Sequence, residues 1–396
     1  MKPRVCVVAE YYPRDDDPVL GRWAHLQAVA AAEAGADVRV LVLHRTVPAR
    51  SGGSGKRTLA ALKQRGKATI DGIPVEYVRY ISPPPSISYA QWHRYATPFL
   101  RRALKRMRGE REFDLIHAHY AVPGAAAVLA TGANEPIVVS IHGGDVYGQV
   151  EQNLRWQQLV STTLEQAQMV LANSAETARR AAAAGAHSPR VVHLGSDLPA
   201  TERRWPGPVL TTLGHLVPRK HHADVLQAVA TLLLQVPDLQ YRIIGDGPER
   251  PALEQLASQL GVSAHVEFLG QLPHDLAVAE VQRGAVMALP SSDEAFGVAY
   301  IEAMAAGVPV VGAEGEAGPT ELLAAGGGIE LVPTGDPEAL SDTLLPLLTD
   351  REANQRLGRA ARNTVEQQFT WQRCGAVTVE CYQQVLAEHQ AQASRQ

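Results

Sequence analysis

Short apolar runs recur along this chain, and most lead through a glycine- or histidine-bearing turn into a helical pattern. Arg4 to Ala9 and Val38 to Leu43 read as strands around an alanine-rich helix at Arg22 to Ala34, closed by Gly35. A strand, helix, strand crossover of this kind requires parallel strands. Further strand patterns follow at Asp114 to His117, Ile137 to Ile141, Met169 to Ala172 and Arg190 to His193. Asp71-Gly72 marks a turn between Ala68–Ile70 and Val75–Val78, which predicts a hairpin. Pro199 to Pro208 is polar and proline-rich, the composition of a linker. The alternation then restarts, with strands at Val209–Leu213, Tyr241–Ile244, Val266–Gly270, Val286–Leu289, Val308–Val311 and Ile329–Val332. Helices are expected at His222–Val236, from Asp336-Pro337 onward, and over the tail from Thr370 to about Glu388. With 396 residues the chain can bury two cores. The expectation is therefore α/β, with two parallel-sheet halves.

Composition narrows the function. A net charge of −4 argues against nucleic acid as the main partner, and 45% hydrophobic with 20% charged residues is ordinary for a soluble domain. Cys6, Cys374 and Cys381 form neither a disulfide framework nor a metal-like cluster, which favours reduced thiols in the cytoplasm. The start M-K-P-R-V-C-V-V-A-E runs straight into a strand, and no apolar segment reaches membrane-spanning length. Charge is uneven, however. Residues 50–112 carry fourteen Lys and Arg against four Asp and Glu, with Trp92, Tyr95 and Phe99 ahead of Arg101-Arg102 and Lys105-Arg106. A solvated surface explains this, and so does a face that touches anionic membrane or an anionic acceptor. Ser51 to Gly55 reads as a mobile glycine–serine loop.

The densest chemistry lies in Ser291 to Gly312, S-S-D-E-A-F-G-V-A-Y-I-E-A-M-A-A-G-V-P-V-V-G. A strand ends at a loop bearing Glu294, and Gly297 opens a helix in which Glu302 is the sole charge. A helix start offers free N–H groups and partial positive charge, which suits an anionic ligand. Arg219-Lys220, just ahead of the helix at His222, adds two cations where a diphosphate would gain point charges as well. His142-Gly143-Gly144-Asp145 follows a strand and exposes backbone at its end, and His119 has the same kind of position.

The spacing E-x7-E, the Phe-Gly between, and E-A-M-A-A-G-V-P-V-V after it resemble the donor-site signature of family 4 glycosyltransferases, the retaining GT-B enzymes. Ala295 stands where that signature usually has glycine. The resemblance is strong over residues 209–312 and weaker elsewhere. It implies a GT-B-like α/β fold, two Rossmann-like α/β/α domains facing across a cleft. Residues 1–198 would form the acceptor-side domain, 199–208 the linker and 209–369 the nucleotide-sugar domain. Residues 370–396 would form a helix crossing back to the first domain.

The same resemblance implies the roles. Arg219 and Lys220 would hold the donor diphosphate, and Gly21 would approach it, although one glycine serves equally as a plain helix start. Glu294 would hold sugar hydroxyls with the backbone of Ala295, Phe296, Gly297 and Val298 beside it. His142 would contact the sugar and steady an oxocarbenium-like transition state. Glu302 would bind the ribose, and Gly245, Gly247 and Gly270 would lie near the nucleotide. The implied reaction is retaining hexosyl transfer from a nucleotide-diphosphate sugar, UDP before GDP, to a hydroxyl acceptor. Cell-surface polysaccharide, glycolipid and soluble small-molecule acceptors all stay open. No metal or other cofactor is required by this scheme. The rival readings are a nucleotide-sugar epimerase, a phosphorylase-like enzyme and a catalytically silent partner subunit. The joint presence of Glu294, Glu302, Arg219 and Lys220 disfavours the last.

Overall fold

A computed structural model describes residues 2–46, 63–84, 88–147, 153–199, 205 and 207–394. The Ser51–Gly55 segment and positions 200–204 and 206 of the expected linker lie outside the described residues. The chain divides into two compact units, Met1–Leu194 with Trp371–Gln396, and Gly195–Thr370.

The first unit contains β1 (Arg4–Ala9), β2 (Asp37–Thr46), β3 (Lys67–Ile70), β4 (Ile73–Ile81), β5 (Leu115–His119), β6 (Ile137–Ile141), β7 (Met169–Ala172) and β8 (Arg190–Val191). They lie in the order β3-β4-β2-β1-β5-β6-β7-β8, and every neighbouring pair is parallel except the β3–β4 hairpin. The central strands β1, β5, β6 and β7 are almost wholly buried, as a sheet covered on both faces demands. Chain direction across the sheet reverses between β1 and β5, so loops after these strands border the crevice where open α/β sheets take ligands.

The tail helix Trp371–Ala393 belongs to this unit and packs on the helix Arg22–Glu33. A Cβ on Gly375 would sit 2.1 Å from the carbonyl oxygen of Ala30, so glycine is what allows the close approach. Gln27 Nε2 donates to Thr378 Oγ1 at 3.2 Å, and Tyr382 Oη lies 2.7 Å from His117 Nδ1.

The second unit contains β9 (Val209–Leu213), β10 (Gln240–Ile244), β11 (Val266–Gly270), β12 (Val286–Ala288), β13 (Val310–Ala313) and β14 (Ile329–Val332), ordered β11-β10-β9-β12-β13-β14 and all parallel. Here the reversal falls between β9 and β12. Residues 195–198, expected at the end of the acceptor-side domain, lie in the second unit. The cause is a backbone bond: Ser196 N–H donates to the Phe369 carbonyl at 2.8 Å, and Ser196 bridges Thr370.

Much of the basic excess is neutralised locally. Arg106 pairs with Glu76, Arg111 with Asp37, Arg108 with Glu135 at 2.6 Å and Arg65 with Asp15 at 2.7 Å. Tyr95, Phe99, Arg102 and Lys105 are exposed on the helix Trp92–Glu110, whose other face carries Ala96, Leu100, Ala103, Leu104 and Met107 into the core. No helix among the described residues is long and apolar enough to cross a membrane.

Candidate active site

Two loops meet at the β9/β12 reversal of the second unit. The loop after β9 passes through a single 3-10 turn, Pro218–Lys220, into the helix His222–Leu232. The loop after β12 runs through Ser291–Glu294 to Gly297, which opens the helix Val298–Ala305. Lys220 Nζ lies 2.5 Å from Glu294 Oε2, and both side chains are only 11% exposed. Arg219 Nη1 is 3.9 Å from the same oxygen, with a side chain 47% exposed. The adjacent cations are thus unequal. Lys220 is committed to a carboxylate, and Arg219 stands open to solvent.

Glu294 is fixed from several sides. Its N–H donates to Glu316 Oε2 at 2.9 Å, and its carbonyl accepts from the Gly318 N–H at 3.0 Å. Ala295 and Phe296 are buried, and Phe296 rests against Phe369 with ring centroids 5.7 Å apart. Gly297 has φ +87°, and a Cβ there would lie 2.2 Å from the Tyr300 ring. The Tyr300 hydroxyl in turn donates to the Leu289 carbonyl, which ties the helix to the end of β12. Glu302 sits further along the helix, with Oε1 3.6 Å from His274 Nδ1.

The three glycines assigned to the nucleotide divide into two kinds. Gly245 follows β10, donates to the Gly270 carbonyl at 2.9 Å, and leaves no room for a side chain: its Cβ would lie 1.9 Å from the Gly214 oxygen. A Cβ on Gly247 would lie 2.3 Å from the Leu216 oxygen. Both let the loop after β10 lie directly on the loop after β9. Around Gly270, φ +71°, there is ordinary space, with Arg250 Nη1 the nearest atom at 3.5 Å.

In the first unit His142 stands at the end of β6. Its Nε2 lies 2.9 Å from His119 Nδ1, at the end of β5, and the rings stack with centroids 5.2 Å apart and planes 3° from parallel. His119 Nε2 and His142 Nδ1 are buried without a hydrogen-bond partner among the described residues. Whichever ring donates, one N–H and one lone pair are left over. The Asp145 carboxylate accepts from the backbone N–H of Ala121 at 2.8 Å and of His142 at 3.3 Å, which fixes the loop. Gly21 has φ +62° and would place a Cβ 2.1 Å from the Tyr11 carbonyl carbon, so chain packing by itself demands glycine there.

Burial holds His142 and His117 down at about 3 and pushes His119 down as well. These rings are neutral at ordinary pH. Unfolded, each binds a proton below about 6.5; folded, His142 and His117 do not until about 3. Stability is therefore lost as pH falls through that window. Burial raises Asp145 to about 7, so its contribution runs the other way, being lost as pH rises towards 7. The acid limb of stability against pH, read from urea midpoints, is expected to flatten by about one proton in His142→Asn. An unchanged slope would mean that His142 is already charged in the folded protein.

Sequence reasoning placed Arg219, Lys220 and Glu294 in one site, and the structure brings them together. It missed Glu316, His221 and Ser292 as parts of that site. The Gly315-Glu316 pair just ahead of the helix Ala317–Ala325 was the available signal for Glu316. His221 shows itself only through its positive φ of 53°.

Two family models match the chain, Glycosyltransferase Family 4 over residues 20–199 and Glycosyl transferases group 1 over residues 200–364. A D-inositol 3-phosphate glycosyltransferase of Corynebacterium urealyticum is 31% identical over 307 residues, 68% of this chain and 71% of that protein. The chain belongs to glycosyltransferase family 4. Another relative of this family 4 glycosyltransferase is the GDP-mannose-dependent monoacylated alpha-(1-6)-phosphatidylinositol monomannoside mannosyltransferase of Corynebacterium glutamicum. That protein is 28% identical over 70% of this chain and 78% of its own length. Among solved structures, HepE of Anabaena, crystallised in complex with UDP, superposes with a TM-score of 0.72 over 97% of this chain and 100% of its own, at 20% identity. The fold of this family 4 enzyme is GT-B, with two parallel-sheet α/β units.

Proposed function

We propose that this glycosyltransferase binds a nucleotide-diphosphate sugar at the β9/β12 reversal of its second unit and transfers the hexosyl group, with retention, to a hydroxyl acceptor. The contact of Lys220 with Glu294 at 2.5 Å carries the reading. It puts a cation suited to a leaving diphosphate beside a carboxylate suited to sugar hydroxyls, at the end of a parallel sheet. On donor binding Lys220 turns from Glu294 to the diphosphate, and Arg219 joins it. Glu294, released, accepts hydrogen bonds from the sugar, with the backbone from Ala295 to Val298 beside it. Glu302 takes the ribose hydroxyls, and the loops of Gly245, Gly247 and Gly270 border the nucleotide.

As the bond from the anomeric carbon to the phosphate oxygen lengthens, negative charge grows on the diphosphate, where the two cations and the helix start oppose it. The acceptor hydroxyl attacks from the face the phosphate is leaving, and the departing oxygen takes its proton. His142, neutral at working pH, contacts the sugar through a hydrogen bond and adds no repulsion to a developing oxocarbenium. UDP is the first donor to test, because HepE was crystallised with it; the GDP-mannose-dependent relative makes GDP the second.

Slow donor hydrolysis tests this without an acceptor in hand. Release of nucleoside diphosphate and free sugar from a UDP- or GDP-hexose is expected, with the anomeric configuration of the first-formed sugar read by NMR. In His142→Ala the rate is expected to fall about a hundredfold while nucleotide affinity stays within about twofold. An inverted first product would overturn the retaining reading, and an equal loss of nucleotide affinity would overturn the role of His142.

Exposed Tyr95, Phe99, Arg102 and Lys105 on one amphipathic helix favour a second element, peripheral contact with an anionic membrane. Phosphatidylglycerol vesicles are expected to sediment the wild type and not Phe99→Ser/Arg102→Glu/Lys105→Glu. Equal recovery of both in the supernatant would remove the membrane reading.

A further inference from the structure

His221 joins the two loops of the donor site, and neither the reaction chemistry nor the fold of either loop requires it to. It is one of few non-glycine residues with positive φ, at +53°. Such a backbone costs about 1 kcal/mol for a residue with a Cβ, so glycine or asparagine would be the easier choice. The imidazole shows what the strain achieves. His221 Nδ1 lies 3.0 Å from Asp224 Oδ2 on the following helix, and Nε2 lies 2.5 Å from Ser292 Oγ, 71 residues away. An ionised Asp224 carboxylate accepts, so Nδ1 donates to it, and Nε2 shares a hydrogen bond with the Ser292 hydroxyl. Ser292 N–H also donates to the Arg219 carbonyl at 2.8 Å. The loop that carries Arg219 and Lys220 is thereby stapled to the loop that carries Glu294 by two bonds independent of the Lys220–Glu294 ion pair.

We propose that the His221–Ser292 bridge is a positioning device for donor loading. This rests on the donor-site reading above. When a diphosphate draws Lys220 from Glu294, the direct ion pair between the loops is lost. The bridge then holds Glu294 and the cations at their separation, so that they meet sugar and diphosphate together. His221 and Ser292 are positioning residues here; neither needs to touch the donor.

Calorimetric titration of UDP and GDP into the full chain, with thermal midpoints and donor-hydrolysis kinetics, tests the idea in wild type, Ser292→Ala, Ser292→Thr, His221→Gly and His221→Gly/Ser292→Ala. Ser292→Ala and His221→Gly are each expected to bind the nucleotide roughly tenfold more weakly and to raise the donor KM more than they lower kcat. His221→Gly should keep its thermal midpoint, because relief of the positive φ offsets the lost bonds. Ser292→Thr retains the hydroxyl and should retain affinity. The double variant should be no weaker than either single one, since both remove the same bridge. Wild-type binding unchanged in the variants, or losses that simply multiply in the double variant, would overturn the proposal and leave the donor site standing. No binding of either nucleotide by the wild type would overturn the donor-site reading and this proposal with it.

Discussion

Lys220→Met is expected to reduce glycosyl transfer or donor hydrolysis about a thousandfold and to destabilise the second unit by about 3 kcal/mol. Two separate causes act. The stability loss arises because Glu294 is only 11% exposed, so removing the ammonium 2.5 Å away leaves a desolvated carboxylate without its main counter-charge. Arg219, at 3.9 Å and half in solvent, replaces little of it. The activity loss arises because the leaving diphosphate no longer meets a fixed cation. A double variant separates them. Lys220→Met/Glu294→Gln has neither charge, so it should recover most of the lost stability in urea denaturation while transfer stays lost. Activity that returned along with stability would show that Lys220 serves only to hold the loop. Arg219→Ala, by contrast, should leave the urea midpoint within about 0.5 kcal/mol of wild type and act mainly on donor affinity.

The glycine series Gly245→Ala, Gly247→Ala and Gly270→Ala is expected to split sharply. At Gly245 a methyl group would lie 1.9 Å from the Gly214 oxygen, on a backbone with φ +137°. At Gly247 it would lie 2.3 Å from the Leu216 oxygen. Backbone blocks both, so the loop after β9 must shift, and with it Arg219 and Lys220. A loss of about 4 kcal/mol or more is expected in each, together with loss of nucleotide binding. Gly270 faces only the movable end of Arg250 at 3.5 Å, so alanine there meets the cost of positive φ alone, about 1 kcal/mol. Equal costs at all three positions would contradict the stacking of the loop after β10 on the loop after β9.

The alternation of sheet and helix was legible because most parallel strands hold a short, largely apolar run between turn-forming or helical patterns. The hairpin β3–β4 was legible from Asp71-Gly72, and the helix start at Asp336 from its capping side chain, which accepts from the Ala339 N–H as a cap requires. The boundary expected at residue 198 falls instead after Leu194, because Ser196 is held by a backbone bond to Phe369, and backbone bonds leave no residue signature. In the site, the residue types were legible and their pairing was not. That Lys220 rather than Arg219 takes Glu294 depends on a contact across 74 residues. That His221 adopts positive φ contradicts local propensity and is intelligible only once Ser292 is seen opposite it. The glycines of the loop after β10 looked like ligand-facing positions; sterically, Gly245 and Gly247 are first of all seats for the neighbouring loop.

The most direct measurement is a thermal-shift and calorimetric panel of UDP, GDP, ADP and their hexose conjugates on wild type and on Arg219→Ala/Lys220→Ala. A ligand present at about a hundred times its dissociation constant adds about 2.7 kcal/mol, an easily seen shift. We expect one nucleoside diphosphate and its sugar conjugate to stabilise the wild type and to leave the double variant unmoved. Failure of every nucleotide to shift the wild type, or an equal shift in both proteins, would contradict a donor diphosphate held by Arg219 and Lys220 at the β9/β12 reversal.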